Sequence, residues 1–566
     1  MLWAHALSAH AASLYTTINS NATLQQFDIG TGGLLAAKSP PTVTTGAAPD
    51  GITINQTGTS LYSPGGGSVF QFDVGAGGLL TAKSPPSVVS GGGARIGISP
   101  DGASLYVPNG TTVGQFDVGA GGLLTPKSPA TVAAGSTPLA VAVSPDGKSA
   151  YVANTGSNSI SQYDVGASGA LTPKSTPTVA TGATPVWISI SPDGKSVYTP
   201  SYGVGNTTVS QFDVGPGGLL TAKSPATVTV GASPAGIALS PDGKSAYVGL
   251  NGAAAVAQLD VAANGALTPK SPATVAAGAG PTGVIVTPDG KNVYVDNFGG
   301  GSPTNNTISQ FTVGAGGALS PKSPATVTTA ANGPFWLAVT PDQGPKASFT
   351  AATSTVKSAT IFDASASSDA DGSIVQFDWD FGDGTSRANG GAKPAHAYTK
   401  TGAFTVRLTV TDDAGCSTQF VFTGQQALCN GGAAATTTRT VVIGSFGGVS
   451  IRSRSVTVRR GIARVMLGCA SNTFGSCKGR LSLRTLGKVA VPSRRKRLAL
   501  GSKSFTIAPG KSKRVAMKVS KTGRKVLART KRLRTRASVN AHDAANVSKK
   551  TSAKVTLKLA KQRKRR

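Results

Sequence analysis

The chain of 566 residues contains no glutamate, because all 23 of its acidic residues are aspartates. It has four histidines, which are His5, His10, His396 and His542. Histidine and glutamate supply many of the general acids and bases in enzymes. Between His10 and residue 343 the sequence has neither, and Arg95 is the one arginine of residues 1–343. Catalysis in this region would have to rely on aspartate, lysine or tyrosine.

Long apolar runs are also absent. The first 16 residues lack the basic segment and following apolar stretch that mark a signal peptide. No later segment reaches the roughly 20 apolar residues of a membrane-spanning helix. The sequence therefore predicts no transmembrane segment and shows no export signal.

Cysteine is scarce and occurs as two close pairs, Cys416 with Cys429 and Cys469 with Cys477. No C-x-x-C motif or histidine at zinc-finger spacing accompanies them, so local disulfides are favoured over a metal site. Disulfides persist in oxidising compartments outside the cytoplasm. The two pairs therefore predict an extracellular or cell-surface protein.

A repeated turn and a repeated Gln-aromatic-Asp signature organise residues 1–343. The turn reads Ser-Pro-Asp-Gly at 144–147 and recurs, with substitutions, in seven copies. The signature glutamines lie 44 to 52 residues apart, at Gln26, Gln71, Gln115, Gln162, Gln211, Gln258 and Gln310. Each copy contains about four short runs rich in Val, Ile and Tyr between turn residues. This period and strand content are typical of a propeller blade, so the sequence predicts an all-β, seven-bladed β-propeller.

The ends of the array predict that the ring closes through a shared blade. Ser8 to Asp28 aligns with the second half of a repeat, and Phe335 to Thr340 supplies an innermost strand. We therefore expect the first and last segments to form one blade together. Because the sequence opens inside a blade while the blade count is complete, we expect an export signal upstream of Met1.

The ordered motifs of the repeat also resemble a known family. Tyr151-Val152-Ala153-Asn154, Gln162-Tyr163-Asp164 and Gly169-Ala170-Leu171-Thr172 follow the turn in the order seen in YVTN and lactonase-type seven-bladed propellers. The resemblance covers roughly the first 60% of the chain. It implies a seven-bladed propeller and allows hydrolysis of a sugar lactone, since the family includes lactonases.

Residues 345–445 resemble a PKD domain. The resemblance rests on the stretch Trp379 to Gly384, which reads WDFGDG, and on His396 and Tyr398 downstream. It implies an immunoglobulin-like β-sandwich of the kind found in extracellular proteins. In the same domain Asp369 and Asp371 could ligate calcium, as in some family members, and an ordinary Asp turn is the alternative. No other cofactor is predicted.

Residues 446–566 carry 35 lysines and arginines against the single acidic residue Asp543. Alternating apolar and polar positions predict a basic β-rich domain, a second small sandwich, over 446–560, with a disordered end at 561–566. Such a charge favours anionic partners, which are either nucleic acid or the polyanionic polymers and lipids of a cell-envelope surface. No Trp or Tyr follows residue 445, so the stacking surfaces of single-strand binders are missing. Envelope attachment is therefore the preferred prediction, and plain solubilisation by the charge is the alternative.

The seven innermost strands differ at one position, four residues before each turn. Four copies carry glycine or alanine there, and the full set is Gly51, Arg95, Ala140, Trp187, Gly236, Gly283 and Trp336. The position lies near one mouth of the central channel, where propellers commonly bind ligands. Arg95, Trp187 and Trp336 are therefore candidate ligand-binding residues for a carbohydrate or a carboxylate. The structural alternative is that the two tryptophans fill gaps between blades.

Two classes of function follow from these observations. The first is a secreted or cell-surface binding or adhesion protein without catalysis, in which the propeller binds a ligand or protein, the PKD domain is a spacer and the basic domain attaches to anionic envelope polymers. The second is a lactonase-like hydrolase acting through the channel. The missing acid and base residues favour the first, and we predict no catalytic residue.

Overall fold

The computed structural model describes residues 12–299, 306–331, 333–352, 354–444, 446–471, 473–491, 494–544 and 546–560. His5, His10 and the predicted disordered end at 561–566 lie outside these residues. Among the described residues no helix is long and apolar enough to cross a membrane. The described elements are almost entirely strands, with one α-helix and a few single-turn 3-10 helices. The prediction of an all-β chain is confirmed.

Seven four-stranded antiparallel sheets make up the first part of the described chain, and they confirm the seven-bladed propeller. The innermost strands are Thr53–Ile54, Gly97–Ile98, Pro138–Val143, Ser189–Ile190, Pro234–Leu239, Pro281–Val286 and Pro334–Val339. The second strands are Ser13–Ile18, Ser60–Gly65, Ser104–Asn109, Ser149–Asn154, Ser196–Pro200, Ser245–Leu250 and Asn292–Asn297. The third strands are Thr23–Ile29, Ser68–Val74, Thr112–Val118, Ser159–Val165, Thr208–Val214, Ala255–Val261 and Thr307–Val313. The outermost strands are Leu35–Thr44, Leu80–Val89, Leu124–Ala133, Leu171–Ala180, Leu220–Thr229, Leu267–Ala276 and Leu319–Thr328.

The ring closes through a blade built from both ends of the array. Pro334–Val339 pairs antiparallel with Ser13–Ile18, with Leu14 opposite Val339 and Thr16 opposite Leu337. The same sheet continues through the third and outermost strands of the first copy. A closed ring leaves each blade covered on both faces by its neighbours, which a single four-stranded sheet cannot achieve in water.

The signature glutamines tie neighbouring blades together. Each glutamine side-chain oxygen accepts the backbone N–H of the leucine that begins the outermost strand of the next blade, at 2.6 to 3.0 Å. The last of these bonds, from Leu35 N to Gln310 Oε1 at 2.8 Å, joins the two ends of the ring. The signature is therefore explained by contacts between blades.

Lysines of the outermost strands make a second set of links. In six blades a buried lysine pairs with the signature aspartate of its own blade and donates to a backbone carbonyl of the next blade. Lys174, for example, pairs with Asp164 and donates to the carbonyl of Gly217 at 2.7 Å. The seventh blade keeps the link to the next blade, since Lys322 donates to the carbonyl of Gly32 at 2.6 Å. In place of an aspartate, Lys322 contacts Thr312 Oγ1 at 2.9 Å and Asn292 Oδ1 at 2.7 Å.

The PKD-like region forms mainly antiparallel sheets around a buried Trp379, as the resemblance implies. Its larger sheet has the order Ser354–Thr355, Thr436–Gly444, Gly402–Asp412, Ile374–Asp380 and Ser386–Arg387. A second sheet consists of Thr350–Ala351, Ala359–Asp363 and Ala395–Ala397. The indole of Trp379 packs edge-on against Phe349, with ring centroids 5.1 Å apart. Its Nε1 donates to the carbonyl of Gly391 at 3.0 Å.

The basic region folds into two sheets and a short helix around one apolar core. The larger sheet has the order Ser455–Val458, Ser548–Leu559, Arg532–His542, Cys477–Thr485 and Ala499–Ile507. The smaller sheet consists of Val449–Ile451, Ile462–Cys469 and Ser512–Lys518, and a separate ribbon consists of Val489–Val491 and Arg494–Lys496. The helix Lys521–Thr530 begins where the Ser520 hydroxyl accepts the N–H of Gly523 at 3.2 Å.

Both predicted disulfides are present. Cys416 is bonded to Cys429, and Cys469 is bonded to Cys477. The chain divides into two compact units. The first contains residues 1–346 together with 368–375 and 410–435, so two segments of the PKD-like sequence pack with the propeller. The second contains residues 347–367, 376–409 and 436–566.

Candidate functional site

The structure brings Arg95, Trp187 and Trp336 together, although they come from three blades that are not adjacent. The indoles of Trp187 and Trp336 stack with their centroids 4.3 Å apart and their planes within 5°. The Arg95 guanidinium carbon lies 4.3 Å from the Trp336 centroid and 5.5 Å from that of Phe335. Residues from separate blades can meet in this way only across the central channel. We call the three residues the channel stack.

The glycines at the same position in other blades show why large side chains are rare there. A Cβ on Gly51 would lie 2.4 Å from the carbonyl oxygen of Ala94 in the next blade. A Cβ on Gly236 would lie 2.5 Å from the carbonyl oxygen of Thr282. Innermost strands therefore approach too closely for a side chain at these two positions. The two tryptophans stack on each other. Trp336 is also part of the apolar core between the first two blades, and Trp187 packs against the same core, as the structural alternative expects.

Hydrogen bonds hold the channel stack in place. Trp187 Nε1 donates to the carbonyl of Ile237 at 3.0 Å, and an Arg95 Nη1 hydrogen bond reaches the carbonyl of Val186. Among the described residues, the Nε1 of Trp336 and the Nε of Arg95 are buried without a hydrogen-bond partner. Burial lowers the pKa of Arg95 to about 10, and the nearby carboxylate of Asp50 opposes this shift.

Two buried carboxyl groups belong to the inner part of the ring and were missed by sequence reasoning. Burial raises the pKa of Asp50, and the Arg95 guanidinium opposes the rise. Burial also raises the pKa of Asp296 well above its usual range. Asp296 Oδ1 accepts a hydrogen bond from Thr16 at 3.1 Å, and its Oδ2 has no partner among the described residues. The sequence did contain an indication of Asp296, because an aspartate occupies the position that is Ala153 in another copy of the repeat.

A hairpin from the PKD-like sequence is seated in the channel. Its strands are Phe420–Phe422 and Ala427–Asn430, its tip is 423–426, and the Cys416–Cys429 disulfide joins its base. We call this segment, residues 416–429, the channel hairpin. Phe422 and Ala427 pack in one interblade core, and Leu428 packs in another.

The tip of the channel hairpin bonds to innermost strands on several sides of the ring. The N–H of Val143 donates to the carbonyl of Gly424 at 2.8 Å, and the N–H of Ile190 donates to that of Thr423 at 3.3 Å. The hydroxyl of Thr53 donates to the carbonyl of Gln425 at 2.7 Å. The Gln425 amide nitrogen also donates to an innermost strand, at the carbonyl of Ile188. The tip therefore lies across the channel and satisfies polar groups that the short innermost strands leave open.

Little space remains between the channel hairpin and the channel stack. The cavity there has a volume of ≈ 40 Å³ and is lined by Trp187, Ser189, Leu337, Gln425 and Leu428, among others. Ligand pockets in proteins are commonly about 300–1,000 Å³, and one water takes up about 30 Å³ of liquid volume. The cavity holds about one water molecule, and a sugar lactone does not fit in it.

Four aspartates gather beside the last turn of the propeller. Asp369 and Asp371, the predicted calcium ligands, lie with Asp342 and Asp412, which sequence reasoning missed. Asp371 accepts the N–H of Gln343 at 3.0 Å, and Asp412 accepts that of Cys416 at 2.7 Å. One oxygen each of Asp342, Asp369 and Asp412 is buried without a hydrogen-bond partner among the described residues. We call these four residues the aspartate cluster.

Burial and mutual repulsion disturb the titration of the aspartate cluster. Burial, with repulsion from its acidic neighbours, raises the pKa of Asp371 and of Asp412 to about 6. The same causes raise the pKa of Asp342 to about 9. Carboxylate oxygens are the ligands that Ca²⁺ takes in proteins. The cluster therefore supplies the kind of oxygen that a calcium ion takes, but among the described residues no three of its carboxylates lie within 4.8 Å of one another.

Three other marked residues of the PKD-like region, Asp380, Asp383 and His396, make local contacts within the fold. Asp380 accepts the N–H of Gly382 at 2.9 Å, and Asp383 accepts that of Thr385 at 3.1 Å. His396 Nε2 is 2.8 Å from Asp383 Oδ2. These contacts fix two turns, and they leave none of the three side chains free for chemistry.

Comparison with known proteins agrees with this architecture. Residues 96–345 match the family model described as lactonase, 7-bladed beta-propeller, and residues 342–424 match the model of the PKD domain. Among solved structures, a match is found to the periplasmic gluconolactonase PpgL of Pseudomonas aeruginosa, at 19% identity and a TM-score of 0.46. The match covers 58% of this chain and 98% of that structure.

Two further similarities cover short parts of the chain. The PKD1 domain of Vibrio anguillarum Epp is 32% identical, and the match covers 18% of this chain and 95% of that domain at a TM-score of 0.14. The pre-pro-metalloprotease PrtV of Vibrio cholerae is 45% identical over 62 residues. That match covers 11% of this chain and spans 6% of the length of the relative.

Proposed function

Because this chain joins a lactonase-type seven-bladed propeller to a PKD domain, we propose that it is a non-catalytic binding protein that works outside the cytoplasm. The propeller offers its outer surfaces to a ligand or protein, and the basic domain attaches to an anionic polymer of the cell envelope. The observation that carries this proposal is the filled channel. The channel stack and the channel hairpin occupy the space in which a substrate of the propeller would be expected.

The lysines and tyrosines of the propeller, which are among the residue types that could still act in catalysis, support the same proposal. Six of the outer-strand lysines are held in ion pairs with aspartates. The seven tyrosines of the second strands donate their hydroxyls to glycine carbonyls at 2.6 to 2.8 Å. Burial raises the pKa of Tyr62 and Tyr151 to about 12. A tyrosine with such a pKa stays protonated near neutral pH and is a poor general base.

Calcium is part of this proposal. The aspartate cluster joins the last propeller turn, at Asp342, to two segments of the PKD sequence, at Asp371 and Asp412. A bound cation would stabilise the packing of these segments with the propeller. The chain's own contribution is a set of buried oxygens without hydrogen-bond partners among the described residues.

The compartment follows from the cysteines. Both pairs are joined as disulfides, and among the described residues no cysteine is free. Disulfides of this kind persist outside the cytoplasm. An envelope polymer is then the polyanion that the basic domain would meet, and attachment to it should weaken as salt is added.

A lactone assay separates this proposal from the lactonase alternative, which the family match over residues 96–345 favours. The full chain is incubated with D-glucono-1,5-lactone, and hydrolysis is followed against buffer alone. We expect no rate above the buffer rate. Turnover that Arg95→Ala or Asp296→Asn abolishes, in variants that keep the wild-type melting temperature, would overturn the proposal.

A further inference from the structure

The larger sheet of the basic domain presents one face without any acidic residue. Its inward positions, such as Leu481, Leu483, Val539 and Leu557, are buried in the core. Its outward positions carry nine lysines and arginines, which are Lys478, Arg480, Arg484, Arg532, Arg534, Arg536, Lys550, Lys554 and Lys558. We call this outward surface the basic face.

Strand register arranges the basic face in rows. Arg484 lies opposite Arg536, which lies opposite Lys554 on the next strand. We call these three residues the upper row. Neighbouring strands are about 4.8 Å apart, so the three cations are immediate neighbours.

Two further rows continue the pattern. Ser482, Ser538 and Ser552 form a serine row, and Arg480, Asn540 and Lys550 form a lower row. The upper and lower rows are four residues apart along each strand, which is about 14 Å at 3.4 Å per residue. Hydroxyl donors therefore lie between two lines of positive charge.

Among the described residues, no ion pair joins an acidic side chain to the basic face. Asp543 is the one acidic residue after residue 445. It is 1% exposed, and its carboxylate accepts the N–H of Val547 at 2.9 Å. Like charges directly opposite each other destabilise a sheet by roughly 0.2–1 kcal/mol per pair. The upper row therefore carries a repulsion that an external anion would relieve.

The opposite sheet of the same domain provides a contrast. Its outward cations are Arg464, Arg514 and Lys518, and the register places each opposite an uncharged residue, at Ala516, Met466 and Ile462 respectively. The two faces therefore differ in how their charges are arranged. Adjacent cations are a feature of the basic face and not of every surface in a basic domain.

The end of the basic face that contains the upper row is concave. A depression of ≈ 750 Å³ there is lined by Ser482, Arg484, Arg497, Ser502, Arg536 and Ser538, among others. Arginine guanidinium groups bind phosphate through two parallel hydrogen bonds, and serine hydroxyls donate to phosphate oxygens. No Phe, Tyr or Trp is among the outward residues of the face, so the large aromatic platforms on which nucleobases stack are missing there.

We propose that the basic face binds a linear polymer with repeated phosphate groups and no bases, such as a polyol phosphate chain, with phosphates seated on the upper row and the serine row. This inference rests on the proposed attachment to anionic polymers and assigns it to one face. The spacing of the rows allows one polymer segment to lie across several strands and contact both lines of cations.

Two charge-matched triple variants of the full chain test the inference. The face variant is Arg484→Gln, Arg536→Gln and Lys554→Gln. The control is Arg464→Gln, Arg514→Gln and Lys518→Gln, which removes the same three charges and takes the formal net charge from +31 to +28 in both cases. Binding of poly(glycerol phosphate) is measured over a range of salt concentrations, and thermal melting checks that both variants fold.

We expect the face variant to bind at least about 100-fold more weakly at low salt, with a slope of log affinity against log salt that is smaller by about 2. The control should change affinity less than about threefold. Equal losses in the two variants would overturn the inference and leave attachment through net charge standing. No binding of any polyanion by the unmodified chain would instead refute the proposed attachment itself. Tighter binding of duplex DNA than of poly(glycerol phosphate) would overturn the proposed polymer and indicate nucleic acid as the partner.

Discussion

The aspartate cluster predicts that calcium and pH control the stability of the propeller together. A carboxyl group whose pKa is raised by folding stabilises the folded state below its unfolded pKa, near 3.9, and loses that contribution as the pH rises through the folded value. The folded pKa is about 6 for Asp371 and Asp412 and about 9 for Asp342. Without a cation, the free energy of unfolding should therefore fall between about pH 4 and pH 9.

The size of this effect follows from the shifts. Asp371 and Asp412 each rise by about two pH units from 3.8, and one unit corresponds to about 1.4 kcal/mol. Solvent screening reduces this for groups in contact with water, so we expect about 1–2 kcal/mol from each. Calcium at 100 times its dissociation constant would add about 2.7 kcal/mol of stability. The gain should grow with pH, because protons and the cation compete for the same oxygens.

The assay is thermal unfolding of the full chain with EDTA or with calcium across this pH range. We expect the melting temperature in EDTA to fall as the pH rises, and calcium to restore it most strongly near pH 8. Asp371→Asn should abolish most of the calcium effect. Asp363→Asn is the matched control, since Asp363 lies outside the cluster and pairs with Lys393 at 3.1 Å. A melting temperature that is flat with pH and indifferent to calcium would refute the reasoning.

Three further predictions concern the ring. Trp336→Ala should destabilise the propeller by about 3–5 kcal/mol in urea unfolding, because it empties the centre of the channel stack; a loss below about 1 kcal/mol would contradict this. Thr312→Asp should stabilise the propeller by about 1 kcal/mol, because the substitution gives Lys322 the carboxylate partner found in the other six blades. A lower urea midpoint for this variant than for the unmodified chain would contradict the prediction. Replacing Cys416 and Cys429 by serine should lower the free energy of unfolding by about 3 kcal/mol, because the unfolded chain gains the entropy of the opened loop. The same variant should show faster proteolysis of the channel hairpin. The other disulfide is the control, and its removal should leave the unfolding transition of the propeller unchanged.

Much of the fold could be predicted from the sequence because the spacing of the repeats can be measured directly. Seven copies of Gln-aromatic-Asp define seven blades, and each copy carries its own strands and turns. The WDFGDG stretch and the two close cysteine pairs are equally local signals. Short stretches of this kind can be interpreted without knowing which distant residues they contact. The predicted blade count, PKD domain and disulfides are therefore confirmed by the structure.

The candidate site could be predicted only in part. Comparison of the copies identified Arg95, Trp187 and Trp336, because a departure from the repeat is visible in the sequence. The position of the channel hairpin was not predicted, since nothing local in the sequence reveals that Gly424 contacts the innermost strand at Val143. The aspartate cluster was half found for the same reason, because its members come from three separate segments of the chain.

The filled centre of the ring also explains where binding is expected. A ligand that entered the channel from the hairpin side would have to displace the tip of the channel hairpin, with its four hydrogen bonds to innermost strands. Breaking buried hydrogen bonds without replacement costs about 1–3 kcal/mol for each group left unpaired. A ligand on the basic face displaces no described side chain from the core and relieves a repulsion already present. Folding therefore closes the channel with hydrogen bonds that a ligand would have to break. The basic face instead carries neighbouring cations without acidic partners among the described residues, and this is where we propose that an anionic polymer binds.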